Sequence, residues 1–246
     1  MKIELIWPML VLSGIANLSC LLVGLYALYR LGGVKAAWAR GFRRRREDSH
    51  WHARESLFNT FAAPSASVVM VGDSLTELAD WSELLGRPVL NRGISGDTTS
   101  GILKRIDTIA SSCPRAIFLM AGSNDLFGDG LASSKVVENM AGILKAIRAS
   151  CPDATVYLQS ILPVSRESRK GIDLLAVNAR LASLADGNQV VFVELFSKFE
   201  QDGTLKPELT FDGVHLNGYG YQLWRDAIMP FLESNPVALP SKPMQC

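Results

Sequence analysis

Three short segments carry side chains that could together perform acyl transfer: Gly72-Asp73-Ser74-Leu75, Gly122-Ser123-Asn124-Asp125 and Asp212-Gly213-Val214-His215. A serine hydroxyl is a weak nucleophile at neutral pH, so it needs a base within hydrogen-bond reach and a third group to orient that base. Ser74, His215 and Asp212 fill these roles as nucleophile, base and orienter. The chain has three histidines, and His50 and His52 lie in a polar stretch ahead of the first apolar run, which leaves His215. The Asp-x-x-His spacing suits a turn in which the carboxylate bends back to the second imidazole nitrogen and fixes the tautomer. Negative charge develops on the carbonyl oxygen during attack and calls for N–H donors. Asn124 offers a side-chain amide, Gly93 an unhindered backbone N–H, and Ser74 its own. Asp73 is expected to support the turn that carries the nucleophile. The set reads as the working parts of a serine esterase.

Each motif also has a plainer reading. Asp73 and Ser74 are both good helix caps, Asn124 and Asp125 could close a strand with a turn, and Asp212 with His215 could be a surface turn or a weak metal pair. No His-x-x-x-His or cysteine–histidine cluster completes a metal site, so neither a metal nor another cofactor is expected. The joint occurrence of the motifs, in order, outweighs the capping and turn readings.

The elements that must position these groups follow from patterning. Ser67 to Val71 has the length and β-branched content of a buried strand, with Gly72 as punctuation before a helix-like Ser74 to Leu85. Apolar runs then alternate with helical patterns: 88–91 with 100–110, 115–120 with 134–150, 154–159 with 172–185, and 190–194 with 218–232. This alternation predicts an α/β fold, a parallel sheet with helices on both faces and active-site residues at the carboxyl ends of the strands, where Ser74, Gly93 and Asn124 fall. Val136, Val137, Met140, Ile143, Leu144 and Ile147 recur at helical spacing, as do Leu174, Leu175, Val177, Leu181 and Leu184; both are core stripes. Tyr221, Leu223, Trp224, Ile228, Phe231 and Leu232 are expected to seal the sheet from the last helix.

The chain resembles the SGNH or GDSL hydrolase superfamily, whose signature residues are serine, glycine, asparagine and histidine in that order. Ser74 matches in Gly-Asp-Ser-Leu-Thr, Gly93 in Asn-Arg-Gly-Ile-Ser-Gly-Asp-Thr-Thr, Asn124 in Gly-Ser-Asn-Asp and His215 in Asp-Gly-Val-His-Leu-Asn. The stretch Asn91 to Thr99 further resembles the branch that holds platelet-activating-factor acetylhydrolase catalytic subunits and bacterial acetyl esterases. The resemblance implies a flavodoxin-like three-layer α/β/α sandwich over residues 63–235. It also implies a carboxylic ester hydrolase that forms an acyl-enzyme, favouring acetyl or other short acyl groups on a small-molecule, lipid or carbohydrate ester. Longer acyl chains, as in a lysophospholipase or thioesterase, and a non-catalytic scaffold are the alternatives.

The 246 residues are 48% hydrophobic with a net charge of +1, so nucleic acid is not an expected partner. Leu5 to Tyr29 contains no charged residue and is long enough to span a hydrocarbon core of roughly 30 Å. The expectation is a transmembrane anchor over 1–31, a basic juxtamembrane segment and helical connector over 32–62, the catalytic domain, and a tail over 236–246. Ala16, Cys20 and Gly24 form a small-residue ridge on the expected span. Arg30, Lys35, Arg40 and the run Arg43 to Arg46 follow it, which by the positive-inside tendency places the catalytic domain on the cytoplasmic side. Beyond the expected span the cysteines are Cys113, Cys151 and Cys246, an odd number with no disulfide-like pattern, which agrees with a reducing compartment. Trp51, Leu57, Phe58 and Phe61 in the connector are available to dock on the domain.

Overall fold

Five short strands form one parallel sheet in the computed structural model: β1 (Val68–Gly72), β2 (Leu90–Gly93, two residues beyond the expected run), β3 (Ala116–Met120), β4 (Thr155–Gln159) and β5 (Val190–Val193). The structure describes residues 6–30, 49–61, 67–110, 113–165 and 172–234. The strand order is β2-β1-β3-β4-β5, with Gly72 in register with Gly93 on one side and Met120 on the other. The order reverses between β1 and β3. A crevice therefore opens beyond their carboxyl ends, where Ser74 follows β1 and Asn124 follows β3.

Alternation along each strand divides the core. Val69, Val71, Ile117 and Leu119 face α5 (Thr99–Lys104), α7 (Ser133–Ser150) and α8 (Leu174–Ala182), packing on Ile102, Met140, Ile143, Val177 and Leu181. Val68, Met70 and Phe118 face α4 (Trp81–Leu85) and α10 (Gly218–Ser234), against Trp81, Trp224, Ile228 and Leu232. Burying one such side chain is worth about 1.5–3 kcal/mol, so these two faces hold the short helices that flank them. Trp81 and Trp224 meet edge to face, ring centroids 4.9 Å apart. Each indole also finds an acceptor, Trp81 in the Thr76 carbonyl (2.8 Å) and Trp224 in Gln159 Oε1 (2.6 Å).

Several expectations are corrected. The helix expected over Ser74 to Leu85 is two, α3 (Ser74–Glu77) and α4, because the Asp80 carboxylate caps a new start at Glu83 N and Gly86, at φ 61°, ends it. The helix expected over 100–110 likewise splits into α5 and α6 (Asp107–Ala110), with Arg105 leaving the helix to pair with Asp97. Leu175 is exposed, so the α8 stripe rests on its neighbours. Residues 49–60 form α2, as the connector reading expects. Of its four candidate docking side chains, Phe58 is buried and Trp51 half-buried, whereas Leu57 and Phe61 face outwards. After α9 (Phe196–Phe199), a turn over Gln201 to Thr204 joins β6 (Glu200–Gln201) to β7 (Thr204–Leu205).

Contacts divide the chain into two units, Met1–Ser49 and His50–Cys246. In the first, Ile6–Arg30 is a single helix, α1. The expected transmembrane span is not found: among the described residues no helix is long and apolar enough to cross a membrane. Within Ile6–Arg30, Ser13, Asn17 and Ser19 interrupt the apolar character of the helix. The ridge of Ala16, Cys20 and Gly24 lies on α1. The basic run from Lys35 to Arg46 and the tail 236–246 lie outside the described residues.

Candidate active site

Ser74 is the first residue of α3, immediately past β1. This tight strand-to-helix step needs Gly72, because a Cβ there would meet Thr76 Oγ1 at 2.3 Å and the Met120 carbonyl at 2.5 Å. Asp73 caps the helix, its Oδ1 accepting from Leu75 N at 3.0 Å, while the Asp73 carbonyl takes Thr76 N and Glu77 N. Asp73 is buried, and that burial pushes its carboxyl up to about 7. The Leu75 N–H and the nearby His215 pull the other way; Asp97 and Asp125 add to the rise. Tyr221, whose hydroxyl donates to the Leu75 carbonyl at 2.9 Å, ties α10 to the same turn. Burial and the charge of Asp73 both raise the pKa of its phenol.

The histidine comes from the loop before α10. Thr210 and Leu216 pair across its neck, the Thr210 hydroxyl donates to the His215 carbonyl at 2.6 Å, and the Gly213 carbonyl accepts from Ser165 N at 2.8 Å. Gly213 turns there at φ 79°. Asp212 folds back as its spacing predicts: Oδ1 accepts from His215 N at 2.8 Å and Val214 N at 2.9 Å, and Oδ2 lies 2.8 Å from His215 Nδ1. Although partial burial opposes it, these N–H groups and the imidazole hold the Asp212 carboxyl down at about 2. The far nitrogen, His215 Nε2, lies 3.1 Å from Ser74 Oγ. An ionised Asp212 favours a proton on Nδ1, which leaves Nε2 free to accept one from the serine.

Two further loops, after β2 and after β3, are tied to each other. After β3 the chain makes a π-helical turn, Asn124–Gly128. Asp125 points inwards, its carboxylate taking Thr99 N (2.9 Å) and Thr99 Oγ1 (2.5 Å) at the start of α5. Asn124 donates through Nδ2 to the Asp97 carbonyl at 2.9 Å, and its second amide hydrogen has no partner among the described residues. Gly93 stands at the carboxyl end of β2, as expected, but its N–H is already engaged. It is buried, its N–H donates to Asn91 Oδ1 at 2.9 Å, and a Cβ would strike the Glu77 backbone nitrogen at 2.4 Å. Its bareness serves the packing of β2 against α3. Three residues on, Gly96 is exposed, turns at φ 79° and would have no atom within 4 Å of a Cβ; among the described residues its N–H has no hydrogen-bond partner.

Ser74, His215 and Asp212 therefore form one hydrogen-bonded chain, and Asn124 joins the Gly96–Asp97 turn. The sequence reading missed Gly96, Asn91 and Asp97. Gly-Asp-Thr-Thr after a strand, where only glycine adopts positive φ easily, was the available signal for Gly96. Asn91, whose Nδ2 also lies 2.9–3.0 Å from the Thr76, Glu77 and Ala79 carbonyls, had none. Among the described residues no cluster of three or more His, Cys, Asp or Glu side chains could hold a metal ion.

The profile of the GDSL-like lipase/acylhydrolase family matches residues 70–223. A solved structure described as a candidate platelet activating factor from Streptococcus pneumonia is 26% identical with a TM-score of 0.72, covering 80% of this chain and 99% of its own. A GDSL-like lipase from Bacteroides thetaiotaomicron is 24% identical with a TM-score of 0.65, over 75% and 98% of the two chains. A carbohydrate esterase of family 3 from Talaromyces cellulolyticus is 22% identical with a TM-score of 0.57, over 69% and 97%. The last two likenesses show a shared fold. No curated protein sequence matches the chain.

Proposed function

The chain belongs to the GDSL-like lipase/acylhydrolase family and is a carboxylic ester hydrolase; from that premise we propose that it works through an acyl-enzyme on Ser74. The observation that carries the proposal is the 3.1 Å contact between Ser74 Oγ and His215 Nε2, with Asp212 2.8 Å behind the imidazole. As Ser74 Oγ bonds to the ester carbonyl carbon, its proton passes to Nε2, and Asp212 steadies the imidazolium. The carbonyl oxygen becomes an anion held by the N–H groups of Ser74 and Gly96 and the free amide hydrogen of Asn124. Collapse of this intermediate breaks the bond to the alcohol, which leaves with the proton from His215. Water, deprotonated by the same nitrogen, then releases the acid and frees Ser74.

Short acyl groups remain the first reading for the substrate. Longer chains have one observation in their favour: a cavity of about 220 Å³ lined mainly by Phe127, Pro163, Val164, Ile172, Leu174 and Phe196, an apolar lining suited to alkyl carbon. Phe127 follows Asn124 by three residues, and Val164 adjoins the Ser165 that holds the histidine loop. The test is turnover of p-nitrophenyl esters from acetate to palmitate by the full chain in mild detergent, beside Ser74→Ala. Serine-dependent turnover greatest at acetate supports the first reading, and a maximum at longer chains supports the second. Equal turnover by wild type and Ser74→Ala on every ester would remove the mechanism and favour a scaffold.

The proposal also includes a membrane setting, with the catalytic unit on the cytoplasmic side. Its support is the exposure of Leu12, Ile15, Leu18, Leu21, Leu22 and Leu25 along α1, together with the basic residues that follow in the sequence.

A further inference from the structure

We propose that α2, which precedes the part of the chain matched by the family, is a working support of the anion-binding loop, and that Trp51 is a positioning residue for catalysis. The family match begins at residue 70, so nothing in it assigns a role to residues 49–60. Asp97 is the hub of the argument. Its backbone carbonyl holds the Asn124 amide at 2.9 Å, and Gly96 directly precedes it. Its carboxylate is almost wholly buried and is gripped from both sides: Arg105 Nε donates to Oδ2 at 2.8 Å, and the Trp51 indole N–H donates to Oδ1 at 3.0 Å. Any displacement of Asp97 thus shifts both the Gly96 amide and Asn124.

The rest of α2 is fastened around the same loop. Arg54 Nη2 donates to the Gly93 carbonyl at 3.3 Å, and Arg54 Nε lies 3.0 Å from Glu77 Oε1, an ion-pair distance without the angle of a hydrogen bond. Glu77 in turn accepts from Ser95 N and Ser95 Oγ, each at 2.6 Å, and from His50 at 3.0 Å. Its carboxyl is held below the usual range by Ser95 and His50 against the opposing effect of burial. Phe58 is buried with the guanidinium carbons of Arg54 and Arg92 at 4.7 and 4.6 Å from its ring centroid, close enough for cation–π attraction. A surface helix with no catalytic role would not need its one indole N–H directed at a buried carboxylate in the anion-binding loop.

The proposal rests on the acyl-enzyme reading and is tested in the full chain with Trp51→Phe, which keeps the ring and deletes the donor, and Trp51→His, which restores an N–H. Because the loop acts on the transition state more than on bound ester, Trp51→Phe should lower kcat roughly tenfold or more while KM changes less than about twofold. Fluorophosphonate labelling of Ser74 should slow in parallel, and Trp51→His should recover part of both. Wild-type kcat in folded Trp51→Phe, or a loss confined to KM, would overturn the proposal. If Trp51→Phe fails to fold, Arg54→Gln is read by the same split, and unchanged kcat in folded Arg54→Gln overturns it equally. Ser74→Ala separates the two failures: an active Ser74→Ala removes the acyl-enzyme, whereas an inactive Ser74→Ala with normal Trp51 and Arg54 variants removes only the role of α2.

Discussion

Asp73 shows what burial beside a nucleophile does to a carboxyl group. With its folded value raised from 3.8 to about 7, the native state binds a proton that the unfolded chain releases, so its contribution to stability is complete below about pH 4 and is lost as pH rises through 7. The displacement corresponds to roughly 4 kcal/mol. Asp73→Asn keeps an acceptor for Leu75 N and removes the titration. Its stability relative to wild type should therefore increase between pH 4 and pH 7.5, as denaturant melts at both values would reveal; a constant difference would refute the assignment. Gly93, at the end of β2, and Gly96, in the loop after it, should differ in catalysis more than in stability. In Gly93→Ala the Cβ strikes the α3 backbone and costs about 1–3 kcal/mol of stability, lowering the melting temperature. Gly96→Ala costs about 1–2 kcal/mol for its left-handed turn, meets nothing, and should lower kcat about tenfold by shifting the amide. Melting curves beside kcat for the pair decide between them.

At the scale of elements, the molecule is two apolar faces around a sheet, with polar side chains joining helix ends to strand ends. Trp224→Phe tests one such joint. Gln159 Oε1 would lose its donor while Gln159 Nε2 already lacks a partner among the described residues, a loss of about 1–3 kcal/mol that calorimetry should register as a fall of several degrees. Strands β1 and β3 were legible in the sequence because they are buried on both sides and read as continuous apolar runs, whereas β2, with Asn91 and Arg92 in it, lies two residues beyond the run that pointed to it. Ser74, Asn124, Asp212 and His215 were legible because their chemistry tolerates few other residue types. Gly93 was singled out by local unhinderedness, whereas the choice between Gly93 and Gly96 depends on where α3 lies and on a side chain, Asn91, that takes the Gly93 amide. The breaks at Asp80 and Arg105 were hidden for the same reason: a capping carboxylate and a buried Arg105–Asp97 pair override an apolar periodicity that runs on past them. The part of α2 in the site depends on contacts 46 residues apart in the chain, Trp51 with Asp97, which no local pattern announces.

At the scale of the molecule, the unit His50–Cys246 contains every group assigned a chemical role, and α1 contributes exposed apolar surface. If α1 attaches the protein to membranes, replacing Leu18, Leu21, Leu22 and Leu25 together by serine should move the chain from the membrane pellet to the supernatant with kcat on a soluble ester unchanged; a variant that still pellets would contradict that placement. The ester hydrolase itself stands on Ser74. The measurement that tests it most directly is intact-mass and peptide mapping of the full chain after brief exposure to an activated ester quenched in acid. The account predicts a single acyl group on Ser74 in the wild type, none on Ser74→Ala, and a slower appearance on His215→Ala. Acylation at another residue, or turnover without any Ser74 adduct when deacylation is made limiting, would contradict it.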